Sequence, residues 1–221
     1  MTEEDHLRGR AYVIIGGPQA SGKSHAQRHL VRTYKNIVAL REAGQILLER
    51  EREEGSLLGG ALVDKEFEKM VLQLDLERMR EIPHEPSNKI YLDESNIFAV
   101  AHARVKNPDL AEILFLKYSQ ALSSFNAGVI FVHVAPEVSW ERRERVYTQR
   151  YRGSPNYGYK MKRSKDYVFR IYPFLMELYR TLPYPKRQVE GTVLRAEFEK
   201  NVETAFESIC DEIGATFERK F

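Results

Sequence analysis

Eight consecutive residues carry the clearest chemical signal in the chain, Gly17-Pro18-Gln19-Ala20-Ser21-Gly22-Lys23-Ser24. They fit the phosphate-binding pattern G-x-x-x-x-G-K-[ST]. Its glycines let the backbone curl, so that successive N–H groups point at phosphate oxygens. In such a loop Lys23 reaches the β- and γ-phosphates, and the Ser24 hydroxyl is a ligand for Mg²⁺. The segment therefore predicts a site for a nucleoside triphosphate, with ATP and magnesium as the expected ligands.

The residues on either side of this segment favour the same interpretation. An apolar, β-branched run at residues 11–15 comes before it and is typical of a buried strand. Ala26, Leu30 and Val31 follow it at helical spacing. A helix that begins here adds its positive N-terminal end to the phosphate site. A glycine turn that binds nothing is the alternative that this context disfavours.

Acidic residues follow another strand-like run, at residues 90–92. A carboxylate at such a position is the expected second half of a nucleotide site, where it holds Mg²⁺ directly or through water. We assign this role to Asp93, together with Ser24. Glu94 is a candidate catalytic residue that takes a proton or polarises water. The alternative for Asp93 is an N-cap of the next helix.

Arg41 and Glu42 follow the strand-like run at residues 37–40. An arginine there can clamp an anionic acceptor through two parallel hydrogen bonds. Glu42 can accept a proton from a hydroxyl group or hold a sugar hydroxyl. The alternative is a surface ion pair on the following helix.

Residues 141–165 contain nine positive and two negative side chains, a net charge of +7 in a chain of +2. This charge, on a predicted loop at residues 152–165 that contains Gly153, Pro155 and Gly158, predicts a mobile lid over the triphosphate. Arg142 and Arg145 would stabilise the phosphoryl group in transfer. A solvated charged helix is one alternative. A nucleic-acid surface is another, because four tyrosines are interleaved with the basic residues.

The composition sets outer limits on the protein. With 221 residues, 43% of them hydrophobic, the chain suits one domain over residues 1–221. Cys210 is the single cysteine, which excludes an intrachain disulfide and a cysteine-based zinc site. The six histidines show no metal-binding spacing, and we expect them to be structural. The N-terminus is polar and no apolar run has membrane-spanning length, so we expect a cytoplasmic protein without a membrane partner.

Strand-like and helical segments alternate along the chain. This alternation predicts an α/β fold, with a parallel sheet covered by helices on both faces. The expected strands are at residues 11–15, 37–40, 90–92 and 129–134, with a weak fifth at 187–189. The expected helices are at residues 22–34, 43–52, 64–80, 97–125 with a break near 107–108, 136–150 and 166–182, with one more at the C-terminus. A glycine-bearing loop is expected near residues 55–60, and Pro83 and Pro86 are expected to break the chain.

The order of these motifs resembles the P-loop nucleoside and nucleotide kinases, nearest the thymidylate kinase group. The resemblance covers most of the chain: Arg41-Glu42-Ala43-Gly44 is similar to that group's R-E-P-G, and the Asp93 strand end and an arginine-bearing helix follow. It implies a three-layer αβα sandwich with a five-stranded parallel sheet, the P-loop NTPase fold of nucleotide kinases. Arg41 would contact an acceptor phosphate and Glu42 an acceptor hydroxyl. Arg142 and Arg145 would be lid residues, with Arg150 and Arg152 as further candidates.

Two departures from that family leave the acceptor open. Glu94 stands where the thymidylate kinase pattern has arginine, and Ala43 replaces the proline of R-E-P-G. We therefore expect an ATP- and Mg²⁺-dependent phosphotransferase acting on a nucleoside or nucleoside monophosphate. The alternatives are a P-loop ATPase that binds nucleic acid and a kinase of another small molecule. Either a monomer or a homodimer fits the sequence.

Overall fold

Five parallel strands form one sheet at the centre of the fold. The structure is a computed structural model that describes residues 10–53, 65–83, 88–153 and 155–220. The strands in these segments are β1 (Ala11–Gly16), β2 (Ile37–Leu40), β3 (Ile90–Glu94), β4 (Asn126–His133) and β5 (Lys186–Glu190). Their order across the sheet is β2-β3-β1-β4-β5, so β1 lies in the middle. All four pairings are parallel.

Eight α-helices connect and follow these strands in the described segments. They are α1 (Lys23–Thr33), α2 (Ala43–Glu53), α3 (Lys65–Glu81), α4 (Ala99–Lys106), α5 (Pro108–Leu122), α6 (Pro136–Tyr151), α7 (Tyr157–Thr181) and α8 (Arg195–Glu212). Pro108 and Pro136 stand in the first turn of their helices. Proline is favoured there because its missing N–H would have no partner within the helix. A short 3-10 turn, Asn96–Phe98, joins β3 to α4.

The side chains of each strand alternate between two apolar layers. Ile90 and Leu92 of β3 pack with Leu30 of α1 and with Val202 and Phe206 of α8. Tyr12 and Tyr91 belong to the opposite layer, together with buried residues of α3, α4, α5 and α7. The helices therefore cover both faces of the sheet. The predicted α/β class and the five-stranded parallel sheet are confirmed, and the layers are compatible with a three-layer sandwich.

One part of the predicted element map is wrong. The expected loop at residues 152–165 is confined to residues 152–156, because α7 begins at Tyr157 rather than at residue 166. Ser164, Tyr167 and Val168 are buried at helical spacing, so this segment gains a packed face by continuing the helix. Lys160, Lys162, Arg163 and Lys165 are thus helical residues, and the predicted mobility of a lid stays a prediction.

Other differences are small. Strand β3 extends to Glu94, two residues beyond its expected end, and β4 begins at Asn126 rather than at residue 129. The loop expected near residues 55–60 lies outside the described residues, as does Pro86. Within the described segments, no helix combines the length and the apolar character needed to cross a membrane.

Candidate active site

The loop between β1 and α1 requires glycine at two positions. Gly17 has φ +139°, and a Cβ atom there would lie 2.2 Å from the backbone oxygen of Val132. Gly22 has φ +114° immediately before α1 begins. L-residues rarely adopt these angles, and the oxygen near Gly17 belongs to the rigid strand β4. Both glycines of the motif therefore shape the loop itself.

Polar groups of this loop are arranged as a site for an anion. The Ser21 hydroxyl is buried, and its Oγ has no hydrogen-bond partner. Buried polar atoms are usually paired, so this hydroxyl is suited to bonding an oxygen of a ligand. Lys23 Nζ donates a hydrogen bond to the Pro18 carbonyl oxygen at 3.0 Å, which places the ammonium group across its own loop. The residues present fit a phosphate group.

The carboxylate that accompanies Ser24 is Glu94. Ser24 Oγ donates a hydrogen bond of 2.8 Å to Glu94 Oε1. Asp93, to which we assigned the metal role together with Ser24, does not share its face of the sheet, because consecutive residues of a strand point to opposite faces. Glu94 shares the α1 face with Ile90 and Leu92, whereas Asp93 faces the layer that contains Tyr12.

Asp93 belongs to a buried polar cluster behind the site. It is 1% exposed and accepts hydrogen bonds from the Tyr12 hydroxyl and from Asn96 Nδ2. Arg78 lies 3.9 Å from its other oxygen and also contacts Asp75. Burial raises the pKa of Asp93 to about 7, and the neighbouring Asp75 adds to that increase. This cluster fixes the end of β3, from which Glu94 projects to the other face.

The two residues predicted to bind the acceptor point in different directions. Glu42 lines the cleft above the loop, where burial raises its pKa while the Lys23 ammonium opposes the shift. Arg41 is largely exposed, and its guanidinium binds Glu49 at 2.5 Å. Arg41 is not among the residues that line the described cleft. The structure thus brings Glu42 to the site and leaves Arg41 on the surface, as the ion-pair alternative had it.

Helix α6 is attached directly to the phosphate loop. Ser139 Oγ donates to the Gln19 carbonyl at 2.6 Å. The Arg142 guanidinium donates to the carbonyl oxygens of Ala20, at 3.1 Å, and of Gly191, at 2.8 Å. Arg142 therefore joins α6 to the phosphate loop and to the residue that follows β5, and its described contacts are with backbone carbonyl oxygens.

The arginine of α6 that faces the cleft is Arg143. Its guanidinium lies over the Tyr147 ring at 5.1 Å and donates to the Tyr147 hydroxyl at 3.3 Å. That hydroxyl in turn donates to Gln19 of the loop at 3.3 Å. Arg145, which we predicted to act in catalysis, is exposed and is not among the lining residues of the described cleft. Arg152 is also exposed, and the side chain of Arg150 lies outside the description.

Sequence reasoning missed Arg143, although the helical period contained a usable signal. Trp140 and Tyr147 are both buried and seven residues apart, so they mark the inner face of α6. Arg143 lies between them on that face, three residues after one and four before the other. Arg145 falls on the opposite side.

The cleft continues well beyond the phosphate loop. It has a volume of about 770 Å³. Phe67, Val71 and Asp75 line its far side, at four-residue spacing along α3. Helices α4 and α7 contribute His102 and Tyr167, whose ring nitrogen and hydroxyl share a hydrogen bond of 2.5 Å. Burial lowers the pKa of His102 to about 3, so this imidazole is neutral at physiological pH.

Side chains that could bind a metal are not clustered in the described part of the chain. No group of three or more His, Cys, Asp or Glu side chains there has the geometry to hold a metal ion. His25 and His29, predicted to be structural, contact Glu199 at 3.0 Å and Glu203 at 2.8 Å. Ser24 and Glu94 remain as an adjacent pair of oxygen donors at the loop.

Comparison with known proteins assigns no family. No protein-family model matches the chain. A search of curated proteins found no significant match either. Any functional conclusion therefore rests on the residues and geometry of this site.

Proposed function

We propose that the protein is a phosphotransferase of the P-loop kinase type, which transfers the γ-phosphoryl group of ATP to a small molecule. The observation that carries this proposal is a cleft that extends beyond the phosphate loop. Lys23 and other residues of the glycine-shaped loop line it, and the Ser21 hydroxyl of that loop is unpaired. Glu42 and side chains of α3, α4 and α7 line the same cleft. A hydrolase needs space for water, whereas this cleft has space for a second substrate.

The residues of the loop would bind and orient the triphosphate. The backbone N–H groups and Ser21 would donate hydrogen bonds to phosphate oxygens, and Lys23 would move from the Pro18 carbonyl to the β- and γ-phosphates. Arg143, held against Tyr147, would place positive charge beside the phosphoryl group in transfer. Phosphoryl transfer depends mainly on such positioning and electrostatics.

Ser24 and Glu94 are the residues that would hold Mg²⁺. A hydroxyl and a carboxylate suit this ion, which keeps several waters and uses few protein ligands beside substrate phosphates. Bound there, magnesium supplies charge neutralisation on the phosphates. Glu94 takes over the role that we first assigned to Asp93. A nucleoside or nucleoside monophosphate remains the proposed acceptor class, and a cytoplasmic location and the oligomeric state stay predictions.

A nucleic-acid-dependent ATPase is the second candidate function. Tyr157 and Tyr159 are exposed at the start of α7, and Lys162, Arg163 and Lys165 are exposed beside them in sequence. Aromatic rings among basic side chains are typical of surfaces that bind single strands. Hydrolysis of ATP that requires added single-stranded DNA would favour this function.

The test combines binding and transfer. We expect Mg·ATP to bind the wild-type protein in isothermal titration calorimetry, and radiolabelled γ-phosphate to appear on an acceptor from a panel of nucleosides and monophosphates. Lys23→Ala should weaken ATP binding at least tenfold, whereas Lys117→Ala, at an exposed site on α5, should not change it. Equal ATP binding by all three proteins would contradict the proposal.

A further inference from the structure

The end of α6 and the start of α7 carry an excess of positive charge. Residues 145–165 contain seven Lys and Arg side chains and no Asp or Glu. The whole chain carries a net charge of +2, so the residues outside this segment together carry −5. A local excess of one sign attracts molecules of the opposite charge, and an excess of this size favours a polyanion.

Four of these cations are exposed and have no ion-pair partner among the residues that the structure describes, namely Arg145, Arg152, Lys162 and Arg163. Several cations elsewhere in the protein are held by carboxylates, as Lys106 is by Glu68 at 2.6 Å. A cation that is already paired must give up its partner before it binds a ligand, at a large cost where the pair is buried. The four exposed cations carry no such cost, so they are available to an anion.

Exposed tyrosine rings accompany these cations. Tyr159 is 66% exposed and Tyr157 is 39% exposed, both in the first turn of α7. Lys162 and Arg163 follow Tyr159 by three and four residues, which places all three side chains on one side of the helix. A base can stack on such a ring while the neighbouring cations bind the phosphates beside it. Single-stranded nucleic acid offers both groups, whereas a duplex keeps its base faces stacked inside and an acidic protein has no bases.

These tyrosines and cations lie apart from the site proposed for ATP. None of them is among the residues that line the described cleft. Arg142, which contacts the phosphate loop, precedes Arg152 by ten residues, and a helix rises about 15 Å over that length. The Tyr157 hydroxyl donates to Thr148 Oγ1 at 3.4 Å, so α7 begins beside the last turns of α6. The exposed rings and cations are therefore open to a ligand other than the triphosphate.

We propose that this basic surface, formed by Arg152, Tyr157, Tyr159, Lys162 and Arg163, binds single-stranded nucleic acid, and that a bound strand alters the affinity of the phosphate loop for ATP. The first half of the inference goes beyond the proposed kinase function, because it holds whichever reaction the cleft performs. The second half rests on that function. Positive charge also attracts acidic proteins and anionic membranes, and the exposed rings favour the strand because its bases can stack on them.

Helix α6 joins the basic surface to the phosphate loop. Ser139 Oγ donates to the Gln19 carbonyl oxygen at 2.6 Å, and the Tyr147 hydroxyl donates to Gln19 Oε1 at 3.3 Å. Trp140 and Tyr147 also pack against Val168, so α7 is held to the same helix. A strand that moves α6 against the loop would change these contacts and with them the affinity for ATP. By linkage, ATP then changes the affinity for the strand by the same factor.

The first experiment measures the binding of fluorescein-labelled oligo(dT) by fluorescence anisotropy. Phosphate contacts from Arg152, Lys162 and Arg163, at about 0.7 each for a single strand, predict a slope of about −2 for log K against log salt. Affinity should therefore fall roughly twentyfold between about 50 and 200 mM salt. A duplex of the same length, poly-glutamate and phosphatidylserine vesicles should each displace the strand only at concentrations at least about fivefold higher than unlabelled oligo(dT). No binding of oligo(dT), or equal displacement by any of the three competitors, would overturn the inference.

The second experiment assigns binding to the basic surface. The double variant Lys162→Ala/Arg163→Ala should weaken oligo(dT) binding at least about tenfold. The control Lys117→Ala/Lys200→Ala, at exposed sites on α5 and α8, should not change it. Tyr159→Ala should weaken binding at least about fivefold because it removes a stacking ring, whereas Tyr159→Phe keeps the ring and should bind like wild type.

The same variants separate the basic surface from a lid over the triphosphate. Without the strand, their ATP affinity should stay within about twofold of wild type, because these residues lie outside the cleft. A loss of ATP affinity in Lys162→Ala/Arg163→Ala would identify the two residues as triphosphate ligands and overturn the inference. Wild-type strand binding by that variant would overturn it as well.

The third experiment tests the link to nucleotide. Calorimetry gives the Kd of Mg·ATP with and without saturating oligo(dT), and we expect a change of at least about threefold, matched by the effect of ATP on the strand. Lys23→Ala should keep the strand affinity that is measured without nucleotide. An ATP affinity that the strand leaves unchanged would overturn the second half of the inference. Strand binding by a wild-type protein that does not bind ATP would overturn the proposed kinase function and support the first half alone.

Discussion

The protonation state of Asp93 is set by its burial. Its carboxyl group is 1% exposed, and its pKa of about 7 means that the folded protein retains a proton which the unfolded chain releases near pH 4. The folded state therefore binds more protons between about pH 4 and 7. By linkage, this group lowers stability as the pH rises through that interval.

We predict that Asp93→Asn removes this pH dependence. The amide is neutral and similar in shape, so it mimics the protonated acid. The wild-type free energy of unfolding should fall by up to about 1.4 kcal/mol per pH unit between about pH 4 and 7, relative to the variant. Urea denaturation across this range measures the difference. Asp166→Asn, at an exposed site on α7, should keep the wild-type slope, and parallel curves for wild type and Asp93→Asn would refute the prediction.

Arg143 and Arg145 allow a matched comparison on one helix. Arg143 lines the cleft, whereas Arg145 is exposed. We predict that Arg143→Ala lowers kcat for phosphoryl transfer about 100-fold, because it removes charge beside the transferred group. Arg145→Ala should keep kcat within twofold. A larger loss in Arg145→Ala than in Arg143→Ala would support the original prediction from the sequence.

At the scale of elements, the turn from β1 into α1 depends on Gly17. A methyl group there would meet the Val132 carbonyl oxygen of β4, and φ is +139°. We predict that Gly17→Ala lowers the free energy of unfolding by at least ~2 kcal/mol and abolishes ATP binding. Gly158→Ala, in the first turn of α7 with no atom within 4 Å, should stabilise the fold by up to ~1 kcal/mol. Thermal denaturation and calorimetry measure both effects, and wild-type behaviour of Gly17→Ala would contradict the first.

The alternation of strands and helices was predictable from hydrophobic patterns, because the central strands of a covered parallel sheet are apolar, although the edge strand β5 is mostly polar. The bounds of β2 were also predicted, but the end of β3 was not. The predicted strand ended at Leu92, so Asp93 and Glu94 lay outside it and their directions were not assigned. In the structure β3 continues to Glu94, and two consecutive strand residues point to opposite faces of the sheet. Residues 152–165 were misassigned because their charges and glycines resemble a loop, while the buried Ser164, Tyr167 and Val168 favour a helix.

The sequence left two directions open for Arg41, an acceptor clamp and a surface ion pair, and could not decide between them. Its sequence position, directly after β2, is the one expected for an acceptor clamp. Its side chain is instead held by Glu49, one helix further along the chain, and its carbonyl accepts a hydrogen bond from Arg78. These partners come from α2 and α3, so only the packing of those helices decides the outcome.

At the scale of the whole molecule, the reactivity of the Cys210 thiol measures how often the protein unfolds. It is the single cysteine, fully buried against the sheet, and burial raises its thiol pKa to about 12. We predict that a thiol reagent labels the native protein only through unfolding. ATP at 100 times its Kd should slow labelling about 100-fold, since binding then stabilises the fold by about 2.7 kcal/mol.

Lys23→Ala is the control for this protection. The same ATP concentration should slow its labelling by no more than about tenfold, because its Kd is expected to be at least ten times higher. Rapid labelling of the native wild-type protein, at the rate of a small free thiol, would contradict the burial of Cys210.

The three-way contact of Arg142 has a consequence for synthesis of the protein. The guanidinium joins the carbonyls of Ala20 and Gly191, and Gly191 N–H donates to His133 of β4 at 2.8 Å. During synthesis, Gly191 therefore has to emerge from the ribosome before its contacts with Arg142 and His133 can form. The Gly191 contact is therefore completed late in synthesis, and we expect the ATP binding proposed for this loop to reach its full strength only after that point.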